Sequence, residues 1–228
     1  METSTVYNIV IPIYEGVDLL DVTVPYEVFN WVQTRDKKPA TKVYLVGQSG
    51  AAVKTRDGFT ITPECSFEQF ENAGITCNLI WVPGGDPANL EAQMKNTSYT
   101  NFIIGLSKNA DYVTSVCEGA LLLANAGLLT HYKATTHWAF IPCLKSYPGI
   151  YVQENVRFVV DGNRVTGGGV SSGLDECFEL IILIFGQATA EAVQKTIQYY
   201  PDPPLKGKVP EASACPSEGL LHGGLCSG

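Results

Sequence analysis

The chain reads as an α/β protein built on a mostly parallel sheet covered by helices on both faces. Three observations carry that expectation. Short β-branched apolar runs alternate with longer stretches of helical spacing, as in βαβ units. The runs are apolar on consecutive rather than alternate residues, the signature of strands buried on both faces. One of them, Tyr112 to Val116, runs directly into Cys117-Glu118-Gly119 and an apolar helix, a sharp strand-to-helix turn at a sheet edge.

The elements follow in order. Val6 to Ile13 (VYNIVIPI) is a strand, and helical spacing covers about Asp18 to Val32. Thr41 to Val46 is the second strand, and Gly58 to Thr62 reads as a short hairpin arm. Asn78 to Val82 (NLIWV) is buried and stops at Pro83-Gly84-Gly85. Helical stretches lie around Asn89 and from Tyr99 to Lys108. After the strand into Cys117, a helix covers Ala120 to Ala126 and ends at Gly127. Asp161-Gly162-Asn163 is a hairpin turn between Val156–Val160 and Arg164–Thr166. Gly167-Gly168-Gly169 precedes a helix to Phe185, and another spans Ala188 to Tyr199 before Pro201. The expected organisation is one domain over 1–205 and an irregular tail, rich in Pro, Gly and Ser, over 206–228.

Composition narrows the function. With 228 residues, 45% hydrophobic and only 17% charged, the chain is neither disordered nor short of a core. Its net charge of −8 disfavours nucleic acid, whose phosphates need clustered Lys and Arg. The longest apolar runs, Leu180 to Phe185 and Ala120 to Leu129, fall short of the ~20 residues of a membrane span. The N-terminus METSTVYNIV lacks a basic and apolar leader, so the expected location is cytoplasmic. The cysteines, at 65, 77, 117, 143, 177, 215 and 226, are odd in number and show no C-x-x-C. No zinc spacing joins them to the histidines at 131, 137 and 222. The expectation is that most are buried structural thiols, with no disulfide framework and no structural metal, and that Cys215 and Cys226 in the tail have no assigned role.

Cys117 is the candidate nucleophile. The turn would hold its side chain up at the carboxyl end of the sheet, and the following helix N-terminus would lower its pKa. The alternative is a small buried core thiol. Glu118 is unusual beside a thiolate, and three placements are open: turned away, paired with a partner chain, or serving as a second acid. Gly84 and Gly85 lie in a loop at the same edge. Their N–H groups, with that of Glu118, would make an oxyanion site, although Pro-Gly-Gly alone is only a turn. Asp21 sits within an apolar stretch and is hard to explain as a cap, so it is the better general acid/base; Asp18 can cap the helix. Glu27 is a further acid, more simply a solvated surface group. His137, at the Thr135-Thr136-His137-Trp138 junction, suits a base, a substrate donor or a structural residue, and Thr136 and His137 fit best as supports behind the site. Trp138, Tyr26 and Tyr14 are candidate apolar lining, though such aromatics are more often core.

Taken together, these motifs resemble the DJ-1/PfpI (ThiJ) superfamily, and within it the isonitrile hydratase branch. The resemblance rests on Leu20-Asp21 with Pro25, Pro83-Gly84-Gly85 and the run from Tyr112 to Cys117. It continues through Ala126 to Leu129, Lys133 to Trp138, Thr166 to Gly169, and Tyr200 with Pro201, Pro203 and Pro204. It implies a flavodoxin-like sandwich, a homodimer, a small-molecule substrate and no cofactor. It also implies Cys117 as nucleophile, Asp21 as the acid near the thiol, and Gly84, Gly85, Gly168 and the Glu118 N–H as substrate- or anion-holding backbone. In that branch the residue after the nucleophile is commonly Thr; here it is Glu118. The implied activity is addition of water to an isonitrile through a Cys117 thioimidate. Glyoxalase- or deglycase-like chemistry on dicarbonyls is a second reading, and a ligand- or redox-sensing module without turnover a third. The acidic charge and the lack of room for a helix-turn-helix weigh against a transcription regulator.

Overall fold

The computed structural model describes residues 6–33 and 40–222. Its strands are β1 (Tyr7–Ile13), β2 (Thr41–Gly47), β3 (Val53–Lys54), β4 (Thr60–Ile61), β5 (Cys65–Ser66), β6 (Leu79–Val82), β7 (Tyr112–Ser115), β8 (Lys133–Ala134), β9 (Tyr151–Val152), β10 (Phe158–Asp161) and β11 (Arg164–Gly167). Its helices are α1 (Leu19–Asn30), α2 (Phe67–Asn72), α3 (Pro87–Lys95), α4 (Thr97–Ser107), α5 (Gly119–Asn125), α6 (Ile141–Lys145), α7 (Ser172–Phe185) and α8 (Gln187–Thr196).

Seven strands form one sheet in the order β10-β11-β7-β6-β1-β2-β5. All its pairings are parallel except the edge hairpin β10-β11, which turns at Asp161 to Arg164. Ile9, Ile11 and Ile13 of β1 and Leu79, Ile80 and Trp81 of β6 are fully buried, because both faces of these central strands are covered. Helix α1 packs on α7, and α7 on α8; α3 packs on α4 and α5, and α5 on β6 and β7. This is the expected flavodoxin-like α/β arrangement. Among the described residues no helix is long and apolar enough to cross a membrane.

Two local features position the site. Pro25 lies inside α1. Lacking an N–H, it cannot bond the carbonyl four residues back, which belongs to Asp21. The Trp81 indole N–H takes that carbonyl instead, at 2.9 Å, and so ties Asp21 to the core of β6. At the end of β7 the chain must turn almost on itself against β6. A Cβ on Gly119 would lie 2.1 Å from the Val82 carbonyl oxygen, so only glycine allows α5 to start there.

Over the described residues 206–222 the backbone of the tail is irregular, apart from a short turn at Glu218–Leu220, and it is pinned to the domain. Cys215 forms a disulfide with Cys143 of α6, and Leu220 is fully buried. The expectation of no disulfide framework is therefore corrected at this pair. Cys65, Cys77, Cys117 and Cys177 are free, while Cys226 lies outside the described residues.

Candidate active site

Cys117 occupies the turn between β7 and α5 with φ of +55°, a left-handed conformation that a non-glycine residue adopts only under local constraint. Its backbone is held on two sides. The Cys117 N–H donates to the Gly168 carbonyl at 2.8 Å, and its carbonyl accepts the Thr136 hydroxyl at 2.8 Å. The thiol is buried, 1% exposed, and the Val170 N–H is directed to the sulfur.

Acids surround the sulfur. One ligand atom each of Asp18, Asp21 and Cys117 lie within 4.8 Å of one another. Asp21 is buried; its Oδ2 accepts the Gly84 N–H at 2.9 Å, while Oδ1 has no partner. Burial, then the charges of Asp18 and Glu118, push the Asp21 carboxyl well above the usual carboxylate range, against the pull of the Gly84 N–H and Arg56. Asp18 has no side-chain capping bond; it forms an ion pair with Arg56 at 2.9 Å, without hydrogen-bond alignment. Three such groups could in principle hold a cation. Here Asp18 is committed to Arg56 and Asp21 to a backbone donor, so no metal site is assigned.

Glu118 does not turn away. It is buried beside the thiol, and burial pushes it up to about 7. Its Oε1 lies 3.9 Å from His137 Nδ1. That contact is not a salt bridge, because Nδ1 already accepts the Ala139 N–H and burial, with Arg56, lowers the His137 pKa. The ring is neutral, and only a protonated Glu118 can donate toward it. A Cβ on Gly84 would lie 2.5 Å from Glu118 Oε2 and 2.8 Å from Cys117 Cβ, so a glycine here lets the second loop close on the nucleophile.

Several expectations are corrected. The thiol pKa is raised, not lowered: burial dominates, and the charges of Asp21 and Glu118 add to it, outweighing the Val170 N–H. The Gly84 N–H is not free for a substrate anion, because Asp21 takes it. The Gly168 N–H is likewise spent on the Arg157 carbonyl. Gly85 lies beyond, bridged to Val17. Glu27 is not near the site: it is exposed on α1 and accepts the Trp31 indole N–H. Tyr26 is also exposed, and Tyr14 is buried with its hydroxyl on the Pro83 carbonyl.

Next to these groups is a cavity of about 370 Å³, lined by Leu20, Thr136, His137, Trp138, Gly168 and Val170 among others. Cys117 does not line it. The residues that hydrogen-bond Cys117 do, so the thiol lies just beneath the cavity wall. Sequence reasoning missed Arg56, which arrives from the β3-β4 hairpin, and the role of Asp18 as its partner. It also missed Val170, whose contribution is a backbone N–H. Glu176, fully buried with both oxygens unpartnered against Gly167, was missed too; its position next to the buried Cys177, one turn before the apolar run Leu180 to Phe185, was its signal.

A parallel sheet with a strained cysteine elbow and a buried acid against it defines a cysteine-centred α/β protein. Residues 7–183 match the DJ-1/PfpI family, and the chain belongs to that family. It is 35% identical over 201 residues to the isonitrile hydratase of Pseudomonas putida, covering 88% of this chain and 82% of that one. It is 28% identical over 159 residues to the HTH-type transcriptional regulator GlxA of Rhizobium meliloti, covering 68% of this chain but only 46% of the regulator. Among solved structures, a ThiJ/PfpI family protein from Pseudomonas syringae superposes with a TM-score of 0.80 at 30% identity, covering 90% of this chain and 82% of that one. Drosophila melanogaster DJ-1beta shares the fold, with a TM-score of 0.75 at 17% identity over 86% of this chain and all of that one.

Proposed function

We propose that the protein is a cofactor-free hydratase that adds water to an isonitrile, giving an N-substituted formamide. The observation that carries this reading is the placement of Cys117 Sγ within 4.8 Å of the Asp21 carboxyl, which keeps one unpartnered oxygen. The 35% identity to a protein named isonitrile hydratase supports the same chemistry.

The proposed steps balance with one nucleophile and one acid. Asp21, which burial keeps protonated, gives its Oδ1 proton to the terminal isonitrile carbon as the sulfur attacks it, and takes the thiol proton in exchange. The product is a thioimidate, R–N=CH–S–Cys117. Water adds to the same carbon, with Asp21 moving its proton to nitrogen. The C–S bond then breaks, releasing R–NH–CHO and the thiol. Keeping the Asp21 pKa high suits this shuttle, because an acid that is too strong would hold no proton near neutrality. The raised thiol pKa means that sulfur is activated only as its proton leaves, in contact with the substrate. An isonitrile suits a buried sulfur: its –N≡C tip is linear and thin, while the organic group occupies the 370 Å³ cavity.

Glu118 favours a second reading, glyoxalase-like chemistry on a small dicarbonyl. A carboxyl titrating at about 7 beside the thiol could move a proton between adjacent carbons. Side-by-side assays of an aryl isonitrile and methylglyoxal separate the two. The hydratase reading expects formamide from the isonitrile and none from a folded Cys117→Ala variant. Equal formamide from that variant would overturn it.

A further inference from the structure

Residues 201–211, downstream of α8, are exposed, and among the described residues their only hydrogen bond is internal, from Lys206 to Asp202. Nothing in that stretch explains its position. Yet Val209 and Pro210 line the cavity beside Cys117, together with Thr136 and Gly168. The anchoring comes downstream. Cys215 is joined to Cys143, the Ser217 hydroxyl bonds Glu91, the Leu220 carbonyl accepts the Tyr147 hydroxyl at 3.3 Å, and the His222 N–H donates to Ser146 Oγ at 2.9 Å. Of these anchors the disulfide is the first reached in sequence after Pro210. Cys143 is two residues from Ile141, which lines the cavity, and Cys215 is five residues from Pro210, a reach of at most ~17 Å.

We propose that the Val209–Pro210 segment is a substrate-selecting wall of the active-site cavity, held in place by the Cys143–Cys215 disulfide. The wall limits the bulk of the organic group that can lie against Trp138 and Leu20. Reduction by a dithiol would release it: the S–S bond breaks, each sulfur gains one electron and one proton, and the dithiol is oxidised to its cyclic disulfide. This inference rests on the proposal that the cavity holds the substrate.

The test uses the full chain in three forms: the oxidised protein, a Cys143→Ser/Cys215→Ser variant, and Val209→Trp. Intact mass first shows whether the purified protein carries the bond, being lighter by two hydrogens; its absence would overturn the tether. Each form is then assayed on methyl, cyclohexyl and naphthyl isonitriles. The naphthyl-to-methyl ratio of kcat/KM should rise roughly tenfold in the double serine variant and fall roughly tenfold in Val209→Trp. A readout independent of turnover is alkylation of the Cys117 peptide at alkaline pH by iodoacetamide and by pyrenyl maleimide. The bulky-to-small rate ratio should move in the same two directions. If the alkylation ratios move but no isonitrile is consumed, the wall stands and the hydratase reading fails. If both ratios are the same in all three forms, the wall is refuted.

Discussion

The molecule holds two cysteine sites, the free Cys117 and the bonded Cys143–Cys215 pair, and they are built in different ways. Cys117 is fixed by its immediate neighbours in sequence: a buried strand before it, Gly119 after it, and a turn strained to φ of +55°. The Cys143–Cys215 bond joins residues 72 apart, one in a short helix and one in a segment with no regular structure. The first is held by the fold itself; the second holds a segment that the fold would otherwise leave loose. Chemistry that needs accuracy is built on the rigid sheet edge, while the adjustable wall is assigned to the tail.

The comparison can be broken at either site. The largest effect is expected at the elbow. Asp21→Asn keeps an acceptor for the Gly84 N–H but removes the proton shuttle, and should lower kcat for isonitrile hydration by roughly 10²–10⁴-fold with a melting midpoint no lower than the parent's. Steady-state assays with calorimetry check both halves. Next is the tail. A disulfide closing 72 residues restricts the unfolded chain by about 4 kcal/mol, so Cys143→Ser/Cys215→Ser should lower the melting midpoint by roughly 10 °C. An unchanged midpoint would mean that the tail undocks separately from the domain.

The smallest expected effect concerns Glu118. Burial raises its carboxyl from 4.5 to about 7 in the folded protein, so folding favours the protonated form. Its favourable contribution is complete below 4.5 and is lost as pH rises through about 7. Glu118→Gln should therefore gain stability over the parent progressively across that window, by up to ~3 kcal/mol above it, as read by denaturant melts at stepped pH. A constant difference at all pH values would contradict the buried, ionisable placement of Glu118.

What could be read from sequence follows the same division. The alternating apolar runs, the Asp161-Gly162-Asn163 hairpin and the Cys117-Glu118-Gly119 turn are local, and each is found where its spacing predicts. Asp21 stood out because an acid in an apolar helix needs a reason, and Pro25 four residues on explains how its carbonyl reaches Trp81. The neighbours that tune the site come from far away in sequence. Arg56 arrives from a separate hairpin to meet Asp18, and burial by the packed loops reverses the thiol pKa expected from the helix alone. The Gly84 donor looked free because nothing in Pro-Gly-Gly shows that Asp21 lies opposite it. The disulfide was illegible for the same reason: its two cysteines are 72 residues apart and share no motif.

The central claim is that Cys117 forms a covalent bond to the isonitrile carbon with Asp21 moving the proton. Intact and peptide mass spectrometry of the Asp21→Asn variant, quenched after mixing with an aryl isonitrile, tests it directly. The expected result is one adduct heavier by the whole isonitrile, mapped to the peptide containing Cys117, because the thioimidate forms slowly and hydrolyses more slowly still. Steady formamide production with no adduct on Cys117, or an adduct confined to Cys65, Cys77 or Cys177, would contradict it.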